Sequence, residues 1–147
     1  MNKKSIIKKI IEEQENVISQ LEKSVLMYSV SSDIDEDDVI DPEDFSHQNE
    51  AKEMQLRYEQ MLIQAKKNKD FLLSIQNNKC NSIQVGALIE TDELYIFIGI
   101  SIPQFELNNK NVISISDQAP IYNDIKDKNV GDIVSLASYK NKILNIS

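Results

Sequence analysis

Two segments with heptad spacing of apolar residues, separated by a highly acidic stretch, constrain the fold of this chain more than any other feature. In the first segment, apolar residues recur at alternating intervals of four and three from Ile7 to Tyr28, with Gln14 filling one position. The second segment runs from Ala51 to Ile75 with the same alternation. This spacing places one apolar stripe along each of two helices, and such helices pack against each other.

The two stripes match each other if the chain reverses direction between them. When residues are paired so that their numbers have a constant sum, seven layers align in one register. Three of these pairs are Gln14–Ala65, Leu21–Tyr58 and Tyr28–Ala51. We therefore predict an antiparallel coiled-coil hairpin with arms of about 33 Å. Its polar core positions should cost some stability and help to fix the register.

The segment that connects the two stripes is acidic to an unusual degree. Residues 33–44 contain eight carboxylates and no basic residue. Carboxylates crowded on one loop repel one another unless a cation, usually a metal ion, joins them. Pro42 suits the first position of the second helix, with Asp41 as its cap and Asp44 in its first turn.

The second half of the chain changes to short runs rich in isoleucine, valine and aromatic residues, which predict strands. The predicted strands are Ile83–Glu90, Leu94–Ile100, Val112–Ser116, Ile133–Ala137 and Ile143–Ile146. The predicted turns are Thr91–Glu93, Asn108–Lys110 and Lys140–Asn141. A short helix is expected from Pro120. We predict an α+β protein, with residues 1–78 as a coiled coil whose acidic tip is 33–50, and 79–147 as a small antiparallel sheet with one helix.

Composition disfavours several classes of protein and partner. A net charge of −8 and an isoelectric point near 4.7 disfavour direct binding to a nucleic-acid backbone. Cys80 is the only cysteine, so the chain cannot form an internal disulfide, which fits a reducing compartment. No apolar run approaches the roughly 18 residues of a membrane span, and charges interrupt the basic start before a secretory signal forms. We expect a cytoplasmic monomer that does not associate with membranes.

Two stretches of the chain resemble the Gre family of bacterial transcription elongation (transcript-cleavage) factors. Residues 44–50, DFSHQNE, resemble the family's tip motif D-L-S-E-N-A-E. Residues 113–134 resemble the family's I-S followed by a proline, a short helix and V-G-D-x-V. The resemblance covers nearly the whole chain. It implies a coiled coil that enters the secondary channel of RNA polymerase, and a C-terminal module, similar to FK506-binding proteins, that docks on the channel rim.

The resemblance also implies a role for the tip in cleaving the 3′ end of backtracked RNA. Asp44 is the first candidate, with Asp41 and Glu43 in support, and Asp44 and Asp41 are the candidate metal ligands. They would help to hold a second Mg²⁺ at the polymerase active centre, where two metals stabilise the attacking and leaving oxygens. The Mg²⁺ would be shared with polymerase and not bound tightly by this chain. The protein would therefore be an accessory factor and not an enzyme.

One tip position departs from the family pattern. His47 stands where the family has a glutamate, and neutral histidine is a poor magnesium ligand. Either a neighbouring acid substitutes, or the factor enters the channel without stimulating cleavage, as inhibitory members of the family do. Polymerase contacts are expected for Asp117, Pro120, Phe45 and His47. A turn followed by a helix start is an equally good explanation for Asp117 and Pro120. For Phe45, the alternative explanation is packing on the first helix.

A calcium-binding helix–loop–helix sensor is the alternative from a different class. Loop positions 1, 3, 5, 9 and 12 of such a site would be filled by Asp33, Asp35, Asp37, Asp41 and Asp44. Two features count against it. Position 6 is Asp38 where a glycine makes the sharp turn, and position 12 is an aspartate and not a bidentate glutamate.

Overall fold

The computed structural model describes residues 3–32, 42–136 and 138–147. Its elements are α1 (Lys3–Ser32), α2 (Pro42–Ile75), β1 (Leu88–Thr91), β2 (Leu94–Gly99), β3 (Ile102–Leu107), β4 (Lys110–Ser116), α3 (Pro120–Ile125), β5 (Ile133–Leu136) and β6 (Tyr139–Ile146). The predicted α+β class is confirmed, because two long helices precede a six-stranded sheet and one short helix. Within the described residues, no helix is long and apolar enough to cross a membrane.

The helices α1 and α2 run antiparallel and contact each other through side chains between Gln14 and Tyr28 of α1 and between Tyr58 and Lys69 of α2. Gln14 is buried, and its Nε2 donates a hydrogen bond to the main-chain carbonyl of Ala65 at 2.9 Å. Farther along α1, Tyr28 stacks on Tyr58 with 5.5 Å between ring centroids. Ion pairs between the helices are Glu15–Lys69 (3.2 Å) and Glu22–Lys66 (4.0 Å). Such solvent-exposed pairs contribute at most about 1 kcal/mol each, so packing dominates.

The predicted pairing of the two helices agrees with the structure at one layer and differs at another. Gln14 contacts Ala65 as predicted, whereas Tyr28 stacks on Tyr58, one heptad away from its predicted partner Ala51. Stacking of two aromatic rings adds about 0.5–1.5 kcal/mol beyond their burial, which favours the observed contact. The helices are also longer than predicted, since 30 and 34 residues correspond to about 45 and 51 Å.

The strands lie in the order β3-β4-β2-β1-β6-β5. Among the described strands, four neighbouring pairs are antiparallel as predicted, but β2 and β4 are parallel. Strand β3 was not predicted. It lies at the sheet edge, where proline is tolerated. Pro103 has no backbone N–H, but at this position it does not interrupt the hydrogen bonds between interior strands. The predicted turn before β4 is confirmed, with φ of 53° at Asn108 and 63° at Asn109, as a type I′ turn requires.

Two sequence predictions in the sheet are wrong in their boundaries. The predicted turn at Lys140–Asn141 lies inside β6, where the fully buried Asn141 pairs with Val134. The positive φ of 68° falls earlier, at Ser138. The predicted strand Ile83–Glu90 is ordered as a strand only from Leu88 onward. Both errors arise because strand ends depend on pairing partners distant in sequence.

Contacts divide the chain into two compact units, Met1–Ile11 with Leu72–Ser147, and Glu12–Phe71. The first unit combines the sheet with the start of α1 and the end of α2. Its fully buried side chains include Ile6, Ile7, Ile10, Leu72, Ile89, Ile96, Ile98, Ile125, Val134 and Ile143. The second unit contains the remaining described lengths of both helices. The predicted boundary after residue 78 follows the change in secondary structure, whereas the compact units divide both helices.

Candidate functional site at the start of the second helix

The described part of the predicted tip forms the first turns of α2. As predicted, this helix begins at Pro42, with Glu43 and Asp44 in its first turn. Proline suits this position because its φ is already helical and its missing N–H has no intrahelical partner there. Acidic side chains are favoured in the first turn because the helix dipole is positive at its N-terminus. Asp41, with the rest of residues 33–41, lies outside the described residues.

Asp44 and His47 are neighbours on one face of α2. Residues three apart on a helix lie close together, and both of these residues are exposed. Asp44 also precedes the buried Ala51 by one heptad, so the side of α2 that packs in the hairpin continues to the tip. Glu43 is rotated from Asp44 by about 100°. A carboxylate at position 47 would therefore share a helix face with Asp44, whereas Glu43 does not.

Phe45 is 55% exposed, so packing on α1, where it occurs, leaves more than half of the side chain accessible. It lies on the side of α2 that faces away from Ala51. Leu56 and Ile63, which are 60% and 56% exposed, share this side at intervals of 11 and 7 residues. These intervals return to within about 20° of the same direction. The three side chains form an exposed apolar stripe that begins at the tip.

Negative charge is concentrated in the unit that carries the tip. The segment Glu12–Phe71 has sixteen acidic and six basic residues, a net charge of −10, while the rest of the chain has a net charge of +2. Among the described residues, no group of three or more His, Cys, Asp or Glu side chains is placed to hold a metal ion. Glu43 and Asp44 nevertheless supply the hard oxygen donors that Mg²⁺ prefers, and one or two carboxylates suffice where phosphates or waters complete its shell.

The other predicted contact region lies between β4 and α3. Pro120 is exposed and is the first residue of α3, as predicted. The Oγ of Ser116 accepts a hydrogen bond from the Gln118 N–H at 3.1 Å and donates one to the half-buried Asp117 carboxylate at 3.5 Å. Local turn geometry thus accounts for both predicted residues, and their contact with polymerase stays a prediction. They belong to a different compact unit from the tip.

Sequence reasoning missed a cavity in the first compact unit. Its lining comes from three segments, at residues 3–4, 76–81 and 146–147. Each segment taken alone is an ordinary polar or terminal stretch. Only the folded arrangement brings the lysines and side-chain amides of these segments together.

No family model matches this chain, and no curated protein matches it. Among solved structures, it is similar to the crystal structure of GreA factor homolog 1 (Gfh1) protein of Thermus thermophilus. The two share 18% sequence identity, and the match covers 98% of this chain and 94% of the other. The TM-score of the superposition is 0.34.

Proposed function

We propose that this protein binds RNA polymerase through the secondary channel and uses its acidic tip to modulate elongation, pausing or cleavage of backtracked RNA. The observation that carries the proposal is a pair of antiparallel helices joined by an acidic sequence, with eight carboxylates in residues 33–44, two of them in the first turn of α2. Two α-helices packed side by side are about 20 Å across. The resemblance of residues 44–50 and 113–134 to the Gre family supports the same function.

The length of the helices strengthens this proposal. The heptad pattern alone predicts arms of about 33 Å, whereas α1 and α2 have lengths of about 45 and 51 Å. Helices of this length are better suited to reach a buried active centre than the predicted arms of about 33 Å.

In this proposal Asp44 is the principal functional carboxylate, with Glu43 and Asp41 in support. A Mg²⁺ shared with polymerase would supply charge neutralisation and would activate water for RNA cleavage. Asp44 and Asp41 would orient that ion by donating carboxylate oxygens. Because polymerase holds the RNA and the first metal, this chain acts as a cytoplasmic accessory factor and not as an enzyme.

The test is transcript cleavage in stalled, backtracked elongation complexes built with the polymerase of the source organism. We expect the rate at which short 3′ fragments are released to change when the protein is added. Asp44→Asn should abolish this effect and leave folding and polymerase binding intact, because Asp44 is exposed. Asp70→Asn is the matched control, since Asp70 is also exposed and lies on the same helix far from the tip. Wild-type behaviour of Asp44→Asn would refute the tip assignment.

A non-cleaving inhibitor of polymerase is the alternative within the same family, and His47 favours it. In that case the same complexes would show slower nucleotide addition and unchanged cleavage, with binding retained in a pull-down. Absence of binding to polymerase would refute both versions.

The packing of the helices argues against a calcium sensor. The helix pairs of calcium-binding EF-hands cross at about 90–140°, whereas α1 and α2 stay in contact from Gln14–Ala65 to Tyr28–Tyr58. Calorimetric titration of the full chain with Ca²⁺ decides between the two. Tight, saturable binding by the free protein would support the sensor and contradict the polymerase proposal.

A further inference from the structure

A cavity of about 440 Å³ lies in the first compact unit, where the first turn of α1, the segment after α2 and the end of β6 meet. Three lysines line it, Lys3, Lys4 and Lys79, together with side-chain amides from residues 76–81. Of the described residues that line it, none has an acidic side chain. In a chain with a net charge of −8, this is a local concentration of basic side chains.

Lys3 is held in place at the cavity wall. Its Nζ donates a hydrogen bond to the main-chain carbonyl of Asn78 at 3.0 Å and lies 3.9 Å from the Sγ of Cys80. Burial lowers the pKa of Lys3, because desolvation disfavours the ammonium form, and interaction with Cys80 acts in the opposite direction. An anion bound nearby would offset this cost, since a negative charge favours the ammonium form.

The part of the wall formed by Ser147 is also fixed. The N–H of Ser147 donates to the carbonyl of Leu88, and the N–H of Leu88 donates to the carbonyl of Ser147, at 2.9 and 2.8 Å. The cavity is thus built on the β1–β6 pairing and on the anchored Lys3. It has positioned walls and is more than a chance cluster of surface lysines.

We propose that this cavity binds a phosphorylated small molecule about the size of a mononucleotide. Its volume falls within the roughly 300–1,000 Å³ of ligand pockets. Lysine ammonium groups bind phosphate as point charges. Side-chain amides offer both donors and acceptors, which suit the polar edges of a base or sugar. An extended nucleic acid fits less well, because the segment Glu12–Phe71 has a net charge of −10. This site is independent of the proposed polymerase function.

Calorimetric titration of the full chain with inorganic triphosphate and with ATP tests the proposal. Both should bind at one saturable site, with ATP tighter if the amides contact the nucleoside. Lys79→Gln should weaken binding about five- to tenfold, the loss expected for one charge-assisted contact. Lys79 is chosen because, unlike Lys3, it is exposed. Lys140→Gln is the matched control, an exposed lysine of the same unit that does not line the cavity.

Cys80 provides a second readout, because it lines the cavity and is the only cysteine in the chain. Its rate of alkylation by iodoacetamide should fall as triphosphate occupies the site, and Lys79→Gln should shift this protection to higher ligand concentration. Three results would each overturn the proposal. They are absence of saturable binding, equal weakening by Lys140→Gln, and tighter binding of a single-stranded RNA oligonucleotide than of ATP.

Discussion

At the scale of single residues, position 47 separates the two versions of the proposed function. Asp44 and His47 are exposed neighbours on one helix face, so the side chain at 47 determines whether the tip presents one carboxylate there or two. Neutral imidazole does not replace a carboxylate toward Mg²⁺, because hard cations prefer oxygen. Under the proposed function, magnesium would therefore be held by Asp44 and by acids elsewhere in the segment.

His47→Glu should increase transcript cleavage in backtracked complexes by about tenfold, the value of one added charge-assisted contact. The measurement is the rate of 3′ fragment release at saturating protein. Ser46→Glu is the control, because it adds the same charge one residue away and about 100° around the helix. If both variants behave alike, net charge and not the geometry of the Asp44 face governs activity.

Several tip residues could be predicted from local sequence and one could not. Proline preference at the first helical position placed the start of α2 at Pro42 and put Asp44 in its first turn. The exposure of Phe45 was missed, because an aromatic residue near a helix start commonly packs on a neighbour. Its direction relative to α1 depends on how the two helices are rotated, which local sequence does not specify. Asp41 lies outside the described residues, so its role stays a prediction.

At the scale of elements, the buried Gln14 shows how a polar residue is tolerated between the helices. Its hydrogen bond to the Ala65 carbonyl satisfies the amide nitrogen in a site that is only 2% exposed. Gln14→Leu should change the free energy of unfolding by less than about 1 kcal/mol. Leucine has a similar volume, and it has no amide that requires a hydrogen-bond partner. Gln14→Ala should lower it by about 2 kcal/mol, because it leaves a cavity. Chemical denaturation of both variants provides the measurement, and a larger loss for Gln14→Leu would contradict this account.

The turn between β3 and β4 offers a second prediction at this scale. Asn109 has a φ of 63°, a conformation that glycine adopts without a steric cost. Asn109→Gly should raise the free energy of unfolding by about 0.5 kcal/mol, since Asn-Gly is the preferred type I′ pair. Asn109→Val should lower it, because a β-branched residue is strained at positive φ. Thermal unfolding of the two variants should therefore move in opposite directions, and a parallel shift would show that the turn does not limit stability.

The elements themselves could be predicted where their signal is local. Heptad spacing identified both helices, and the Asn108-Asn109 pair identified a hairpin turn. Strand β3 and the extent of β6 could not be predicted, since edge position and pairing with β5 determine them. The Tyr28–Tyr58 contact was missed for a related reason. The apolar pattern does not specify which side chain of α2 Tyr28 contacts, and aromatic stacking favours Tyr58.

At the scale of the whole molecule, the two compact units differ in charge and in composition. The unit Glu12–Phe71 is helical in its described residues and has a net charge of −10, and the other unit contains the sheet and has a net charge of +2. This division fits a protein in which the unit Glu12–Phe71 presents carboxylates and the sheet unit contacts a partner. The cavity lined by lysines belongs to the second of these.

The sheet unit should depend on the ends of both helices for its stability. Ile6, Ile7, Ile10 and Leu72 are fully buried and belong to the same compact unit as the sheet. Each such side chain contributes about 1.5–3 kcal/mol when buried. Their combined loss, about 6–12 kcal/mol, is comparable with the 5–15 kcal/mol that stabilises a typical domain. A fragment of residues 79–147 alone should therefore fail to unfold cooperatively.

A chain that joins residues 1–11 to 72–147 through a short Gly/Ser linker should instead keep its fold, because it retains these four side chains and omits only the unit Glu12–Phe71. Thermal unfolding followed by circular dichroism, with amide chemical-shift dispersion in NMR spectra, distinguishes the two fragments. Cooperative unfolding of 79–147 by itself would establish the boundary after residue 78 as the true limit of an independent domain. Failure of the linked chain to fold would show that the central lengths of the helices also stabilise the sheet unit.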